Sequence, residues 1–298
     1  MADGEGQGET QGRSGVVLPL LAATAAMACF QGGAALAKGL FPAVGPQGAA
    51  ALRLVFGAIL LLAVARPWRN WPTPAPLLPM FGLGVSMAAA ILCFFQAIDR
   101  LPLGVALSLQ VLGPLGVAIA TSRRPTDLLW VALAAAGVWS LVGVGQADVA
   151  LIDLRGLPWA AGAAAGWAGY ILFGRATGAA FGTSAAAPAV CIAAILVLPV
   201  GLAHAGTALF DVALIPLALG IGLLSTALPF SLELYAMPRL PARTFATFTS
   251  LEPAFAILSG FLFLHERLTA LQIAGVCAVI AAAAGAAWSG AGRKTAQA

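Results

Sequence analysis

One acidic residue, Glu252, interrupts an apolar stretch at about residues 242–264, and Pro253 follows it directly. If that stretch is a membrane-spanning helix beginning near Ala242, ten residues at about 1.5 Å each place the carboxylate roughly 15 Å deep, near the middle of the hydrocarbon layer. A charge there costs a few kcal/mol, so the acid must face a cavity or a partner, and a proton can bind it and leave. Pro253 removes a backbone hydrogen bond and is predicted to kink the helix. We interpret Glu252 as a protonation site, with a structural pair to Arg53 or an interhelical hydrogen bond as the alternative.

Three other charged residues lie in or near apolar stretches. Arg53 is about six residues into its stretch, where it could pair with a substrate carboxylate or extend its guanidinium to the interface. Lys38 lies near a helix end, where extension to the interface is the simpler interpretation. Glu233 could line a pathway, or could form an interfacial ion pair with Arg239 or Arg243.

Uncharged polar residues in the same stretches could line a polar path or hydrogen bond between helices. The uncharged candidates for the path are Gln31, Gln96, Ser108, Gln110, Tyr170, Ser225, Thr226, Thr247 and Thr249. The charged candidates for the substrate and proton pathway are Glu252, Arg53, Glu233 and Lys38. Pro114 is a second candidate for a kink, since it occupies the position in its stretch that Pro253 has in another.

The composition indicates that these residues belong to a protein embedded in a membrane. Of the 298 residues, 61% are hydrophobic and 9% are charged, whereas soluble domains have about 25% charged residues. The charges are scattered, which disfavours nucleic-acid binding because that needs a continuous basic face. The four cysteines lie in apolar stretches without paired spacing and are interpreted as small core residues.

Apolar runs of about 20 residues predict ten membrane-spanning helices, so the fold class is an all-α membrane protein. The predicted spans are 14–37, 47–65, 70–98, 101–122, 128–147, 156–174, 176–210, 212–232, 242–264 and 268–292. The polar, Gly-rich residues 1–15 are predicted to be a disordered cytoplasmic tail without a cleavable signal, and residues 291–298 a second cytoplasmic tail.

The distribution of basic residues predicts that both termini are cytoplasmic, because basic residues concentrate on the cytoplasmic side. With that orientation, the inner segments carry Arg13, Arg66, Arg69, Arg123, Arg124, Arg175, Arg239, Arg243, Arg293 and Lys294. The outer loops carry Lys38, Arg100, Arg155 and Arg267.

The chain contains an internal repeat. A shift of 139 residues aligns Arg100-Leu101-Pro102 with Arg239-Leu240-Pro241, and Gly113-Pro114 with Glu252-Pro253. Two five-helix units, 16–148 and 156–290, are therefore predicted. Because five is odd, the second unit must enter the bilayer from the opposite side, which is the inverted-repeat arrangement of many secondary transporters.

No sequence motif for a metal hydrolase, an ATPase or a thiol redox enzyme is present, so no cofactor and no metal are predicted. An intramembrane enzyme using a buried Glu remains an alternative, although no second catalytic group has suitable spacing. A passive channel is a third possibility, but duplicated halves fit alternating access better. The oligomeric state is left open.

Three long segments carry a resemblance to a known family. They are FQGGAALAKGLFPAVGPQGAAALRLVFG at 30–57, GPLGVAIATSRRPTD at 113–127, and STALPFSLELYAMPRLPARTFATFTSLEPAFAILSGFLFL at 225–264. With these segments, residues 16–289 resemble the EamA-type drug/metabolite transporter superfamily.

The resemblance implies a ten-helix inverted repeat around a central cavity in the inner membrane, exporting small amino acids such as threonine and homoserine in exchange for protons. Arg53 matches the arginine of the family's second helix, and Glu252-Pro253 match its Glu-Pro pair. Where the family usually has Leu-Gly-Glu, this chain has Leu264-His265-Glu266, which puts a glycine-type helix cap in doubt. Export of another metabolite or a drug-like amine is the alternative within the same fold.

Overall fold

The computed structural model describes residues 5–70, 77–120, 127–142, 153–181, 185–236, 239–240 and 250–291. The regular elements in these ranges are helices, and no strand occurs among them. The α-helices are α1 (Glu5–Lys38), α2 (Phe41–Ala65), α3 (Leu77–Arg100), α4 (Leu103–Gln110), α5 (Leu112–Ala120), α6 (Asp127–Val142), α7 (Leu157–Phe181), α8 (Ala186–Ala205), α9 (Ile215–Gly222), α10 (Leu228–Ala236), α11 (Glu252–Leu264) and α12 (Ala270–Ala291). Short 3-10 turns lie at Pro67–Asn70, Leu154–Gly156, Gly206–Phe210 and Val212–Leu214.

Several helical segments have the length and composition of membrane spans, which confirms the prediction of an all-helical membrane protein. Five are long and apolar enough to cross a bilayer: Val17–Lys38, Phe41–Ala65, Leu77–Arg100, Ala186–Phe210 and Val212–Glu233. Shorter apolar helices cover Leu103–Val117, Leu128–Leu141, Glu252–Leu264 and Ala270–Gly285. Helix α1 begins at Glu5, within the predicted tail at 1–15, although its apolar part begins only at Val17.

Two predicted spans contain a break in regular α-helix, and a proline explains each. The span predicted at 101–122 divides into α4 and α5 at Val111, where Pro114 has no N–H to donate to the Gln110 carbonyl. The span predicted at 212–232 contains a π-helical turn, Leu223–Ala227, between α9 and α10. Here Pro229 has no N–H for the Ser225 carbonyl, so that carbonyl needs another donor.

The Glu252-Pro253 pair lies at the beginning of a helix among the described residues. Helix α11 begins at Glu252, and Pro253 occupies the first turn, where the missing N–H removes no hydrogen bond. A carboxylate in the first turn is favoured by the positive end of the helix dipole. The prediction was a kink inside a longer helix, and residues 241–249, which would form its first half, lie outside the described residues.

The helices pack in specific pairs, and small residues permit close approach. Helix α2 packs on α8, α3 on α7 and α8, α6 on α12, and α1 on α10 and α11, while α4 packs on α11 and α5 on α7. In the α6–α12 pair, a Cβ added at Gly137 would lie 2.8 Å from the Gly275 carbonyl oxygen, and one at Gly275 would lie 2.7 Å from the Gly137 oxygen. Backbone contact of this kind is how membrane helices associate where hydrophobic driving force is weak.

Candidate functional site

Arg53 is buried inside the bundle, with 6% of its surface exposed. Its Nη2 donates to the Ser225 carbonyl at 2.8 Å, and its Nε donates to Thr226 Oγ1 at 3.4 Å. The guanidinium also lies 5.5 Å from the centre of the Phe95 ring, a distance at which cation and ring attract. Arg53 therefore does not extend to the interface, and it supplies the donor that Pro229 cannot give to Ser225.

Two neighbouring glycines bring α1 and α2 close to the π-helical turn that Arg53 contacts. A Cβ on Gly33 of α1 would lie 2.7 Å from the Ser225 Cβ, and one on Gly57 of α2 would lie 2.6 Å from the Thr226 Cγ2. The turn is thus held between two helices, with Arg53 bound to its backbone. Interruptions of this type concentrate at functional sites.

Glu233, Glu252 and Tyr170 lie close enough to interact electrostatically, although they come from α10, α11 and α7. Glu252 is twelve residues before the end of α11 at Leu264, and Tyr170 is thirteen after the start of α7 at Leu157. At about 1.5 Å per residue, both lie roughly 18–20 Å from those helix ends.

Those helix ends belong to the same side of the bundle. Gly156, in the 3-10 turn before α7, packs against Leu101, which lies just before α4. At the start of α4, the Leu103 N–H donates to the carboxylate of Glu266, which follows α11. Tyr170, Glu233 and Glu252 are surrounded by protein and yet keep intermediate exposure. These three side chains, which we call the acidic cluster, are therefore enclosed by the helices of the bundle.

Neither acid of the cluster forms an ion pair with another described residue. The ion pairs among the described residues are Lys38 with Glu266 at 2.9 Å and Asp99 with Arg100 at 3.3 Å. Arg239 instead donates to the Tyr235 carbonyl at 2.8 Å and lies 4.1 Å from that ring. The structural pairs considered for Glu252 with Arg53 and for Glu233 with Arg239 are therefore absent within the described part of the chain.

Lys38 lies apart from the cluster, in a junction of three helix ends. Its Nζ contacts Glu266 Oε1, while Glu266 Oε2 accepts the backbone N–H of Leu103 at 2.7 Å. One carboxylate thus joins the end of α1, the start of α4 and the end of α11, and we call this the Lys38–Glu266 junction. His265 adopts the left-handed conformation, with φ 54°, that glycine commonly has at this cap. The helix therefore keeps the left-handed cap that is typical of glycine, although the residue there is His265.

The glutamines differ in their surroundings. Gln31 and Gln110 are buried, and the Oε1 atom of each has no hydrogen-bond partner among the described residues. Such buried acceptors are costly unless a ligand or water satisfies them. Gln96 accepts from Arg100 Nη1 at 3.3 Å instead. Thr247 and Thr249, which were also predicted to line the path, lie outside the described residues. The same holds for Arg243, the second residue considered as a partner of Glu233.

An apolar groove of about 630 Å³ lies beside α4, α5, α6 and α7. Leucine, valine, alanine and glycine side chains line it, and none of the predicted polar site residues does. A charged or zwitterionic molecule would leave its polar groups unpaired there. The groove is therefore not the candidate site.

Comparison with known proteins decides the family. Residues 154–288 match the EamA-like transporter family. The threonine/homoserine exporters RhtA of Escherichia coli (strain K12) and Salmonella typhimurium (strain LT2) are each 47% identical to this chain over 270 residues, 91% of either length. The chain belongs to the EamA-like transporter family. It is a multi-pass inner-membrane transporter and not an enzyme.

A more distant relative and a solved structure are also similar to this chain. The uncharacterized transporter YwfM of Bacillus subtilis (strain 168) is 29% identical over 245 residues, covering 75% of this chain and 77% of that one. A solved crystal structure aligns with a TM-score of 0.60 at 20% identity, covering 93% of this chain and 98% of the other. The latter supports the fold alone.

Two residues that contribute to this arrangement, Pro229 and Glu266, were not among the sequence candidates. Ser225 supplies the carbonyl to which Arg53 donates. Pro229 is the sequence signal for this bond, because a proline cannot donate to the carbonyl four residues before it. Glu266 follows an apolar helix directly, which is a weak signal for a contact to a neighbouring helix end.

Proposed function

We propose that this protein exports small amino acids of the threonine and homoserine type by alternating access, in exchange for protons. The substrate class rests on the 47% identity to the two RhtA exporters over 91% of the chain. The exchange mechanism is supported by one observation: Glu233 and Glu252 are enclosed by protein, and within the described residues neither forms an ion pair. Glu252 is the protonation site in this mechanism.

Arg53 and the acids can divide the substrate and the proton between them. Thr226, which contacts Arg53, precedes Glu233 by seven residues, a separation of roughly 10 Å along the helix. The guanidinium can bind a substrate carboxylate, and the acids, which lie too far along the helix for the ammonium group of the same small amino acid, can bind the proton. Gln31 and Gln110 offer free acceptors for a hydroxyl or ammonium group.

We propose further that the ten spans form two inverted five-helix repeats, 16–148 and 156–290, with both termini cytoplasmic. The helix pairs support this. If each span is replaced by the span five places along the chain, the packed pair α3–α7 becomes α10–α1, and the pair α1–α11 becomes α7–α5, both of which are also packed. The same replacement exchanges the two partners within the α2–α8 pair and within the α6–α12 pair. Two opposed halves are the usual basis for rocking around a central site.

In that orientation the Lys38–Glu266 junction lies at the outer side. It holds three helix ends together through one carboxylate at 2.9 and 2.7 Å. We propose that this junction separates when the outer side opens for substrate to leave.

The test is counterflow in proteoliposomes. Vesicles holding purified protein and unlabelled threonine should accumulate radiolabelled threonine, and external homoserine should compete. Protein-free vesicles are the control. If threonine is not exchanged but another metabolite or a drug-like amine is, the substrate proposal is wrong and the alternative cargo is supported.

A further inference from the structure

Gln31 carries a buried side-chain amide whose oxygen is unpaired among the described residues. Its side chain lies inside the bundle with 4% of the residue exposed, and no described donor reaches its Oε1 atom. A buried acceptor without a donor is costly, so native structures usually supply a protein group, an ordered water or a ligand. The unpaired oxygen therefore indicates a position that a ligand can fill.

Other buried glutamines of the described chain are paired within the protein. Gln96 Oε1 accepts from Arg100 Nη1 at 3.3 Å, and Gln272 Oε1 accepts the backbone N–H of Thr269 at 2.9 Å. Both glutamines are as buried as Gln31, at 6% and 7% exposed. Burial alone thus does not leave a glutamine oxygen unpaired in this fold.

The contacts of α1 place Gln31 near the guanidinium of Arg53. Gly33 follows Gln31 by two residues, and a Cβ added there would lie 2.7 Å from the Ser225 Cβ. The Ser225 carbonyl in turn accepts from Arg53 Nη2 at 2.8 Å. Two residues correspond to about 3 Å of helix rise. Gln31 is therefore within one helical turn of the level at which the guanidinium is bound.

Gln110, the second unpaired glutamine, has a different position. Lys38 follows Gln31 by seven residues and Leu103 precedes Gln110 by seven, and both contact Glu266, so each glutamine lies about 10 Å below the Lys38–Glu266 junction. Helix α1 packs directly on the π-helical turn that Arg53 contacts, whereas α4 packs mainly on α7 and α11. Gln31 is thus the unpaired amide that a contact chain connects to Arg53.

The chemistry of an amide suits the recognition of a hydroxyl group. The Gln31 amide has an acceptor oxygen and two N–H donors, and a hydroxyl both donates and accepts, whereas a methyl group does neither. A buried site that bonds to a hydroxyl rejects an analogue of the same shape without one, because its own polar group is then left unpaired. The carboxylate and ammonium groups are common to amino acids, so selectivity must come from the side chain.

We propose that Gln31 is the specificity-determining residue of this transporter, and that its amide binds the side-chain hydroxyl of the substrate while Arg53 binds the carboxylate. This inference rests on the proposed function and names the group by which hydroxylated amino acids are selected.

The first test compares amino acids that differ by one group. Counterflow of radiolabelled threonine is inhibited with unlabelled threonine or with valine, in which a methyl group replaces the hydroxyl. In the wild type, half-inhibition should need roughly 5- to 150-fold more valine than threonine, as expected for one unpaired polar group. In Gln31→Met this ratio should fall towards one, and counterflow of radiolabelled valine should increase.

Gln272→Met is the matched control, because it removes a buried glutamine that is paired with Thr269 at the start of α12. It should keep the wild-type ratio of threonine to valine. Homoserine and norvaline, which also differ by a hydroxyl in place of a methyl group, should follow the same pattern as threonine and valine.

The second test measures unfolding temperature in detergent without substrate. Gln31→Met removes an unpaired polar atom, so it should unfold at the same temperature as the wild type or at a higher one. Gln272→Met should unfold at a lower temperature, because Thr269 loses its cap partner. A clear decrease in Gln31→Met would show that the amide is bound within the protein and would overturn the assignment.

The outcomes separate this assignment from the proposed function. If the wild type exchanges threonine but does not distinguish it from valine, or if Gln31→Met keeps the wild-type ratio, the role of Gln31 is wrong and threonine transport stands. If Gln110→Met equalises threonine and valine and Gln31→Met does not, the hydroxyl is bound on α4 and the assignment to Gln31 is again wrong. Absence of threonine and homoserine exchange in the wild type would overturn the proposed function and this assignment together.

Discussion

Arg53 has a structural role in the bundle, and we propose a substrate-binding role for the same guanidinium. It satisfies the Ser225 carbonyl that Pro229 leaves without a donor, and it remains the buried cation nearest the candidate path among the described residues. A buried carbonyl without a donor costs about 1–3 kcal/mol. The hydrogen bond to Ser225 therefore holds the guanidinium at the place where a substrate carboxylate would bind.

Replacement of Arg53 by methionine separates these roles. Arg53→Met should lower the free energy of unfolding by about 1–3 kcal/mol, because Ser225 loses its donor, and should weaken threonine binding at least tenfold. Adding Pro229→Ala returns an N–H for Ser225, so Arg53→Met/Pro229→Ala should recover stability without recovering binding. Thermal unfolding in detergent and equilibrium dialysis measure the two quantities.

The matched control is Arg155→Met, which removes an exposed arginine. It should change neither quantity measurably, since exposed side chains contribute little. Recovery of threonine binding in the double variant would contradict a substrate-binding role for Arg53.

At the scale of elements, the Lys38–Glu266 junction ties three helix ends. The two side chains are 22% and 17% exposed, so the ion pair is partly screened and contributes only about 1 kcal/mol. The bond from Glu266 to the Leu103 N–H adds about 1 kcal/mol, as a side-chain cap does.

A double-mutant cycle distinguishes the two contributions. Lys38→Met should remove the ion pair alone, Glu266→Ala should remove both, and the double variant should be no less stable than Glu266→Ala. The expected coupling energy is about 1 kcal/mol. Additive effects in thermal unfolding would show that the two residues do not interact.

The contact between α6 and α12 makes another prediction. Gly137→Ala places a methyl group against the Gly275 carbonyl, so the helices must separate and the free energy of unfolding should fall by about 1–3 kcal/mol. Gly220→Ala is the matched control, because nothing lies within 4 Å of a Cβ there. It should be neutral or slightly stabilising. Equal losses in both variants would refute a packing role specific to Gly137.

The sequence predicted these elements to different degrees. Long apolar runs predicted the helices, and Pro114 predicted the interruption between α4 and α5. The π-helical turn was not predicted, because its cause is a proline, Pro229, that was not considered with Arg53 from another helix. The approach of Glu233 to Glu252 depends on helix rotation and packing, which a hydropathy pattern leaves open.

For the whole molecule, the proposed inverted repeat is consistent with a contact as well as with the sequence. Gly137 and Gly275 are 138 positions apart, close to the shift of 139 that aligns the Arg-Leu-Pro segments, and they contact each other in the α6–α12 pair. A residue and its counterpart meet where a two-fold axis passes between two copies. This contact therefore supports the proposed inverted arrangement, in which one half can rock against the other around Arg53 and the acidic cluster.

The most direct measurement of the account is threonine efflux from proteoliposomes under an imposed pH gradient. Vesicles loaded with radiolabelled threonine are diluted into acidic or neutral medium, and efflux is compared between the wild type, Glu252→Gln and Asp99→Asn. Acid outside should accelerate efflux severalfold in the wild type and in Asp99→Asn, while Glu252→Gln should show no acceleration. Efflux from the wild type that is independent of the gradient, or full acceleration in Glu252→Gln, would contradict proton exchange through this acid.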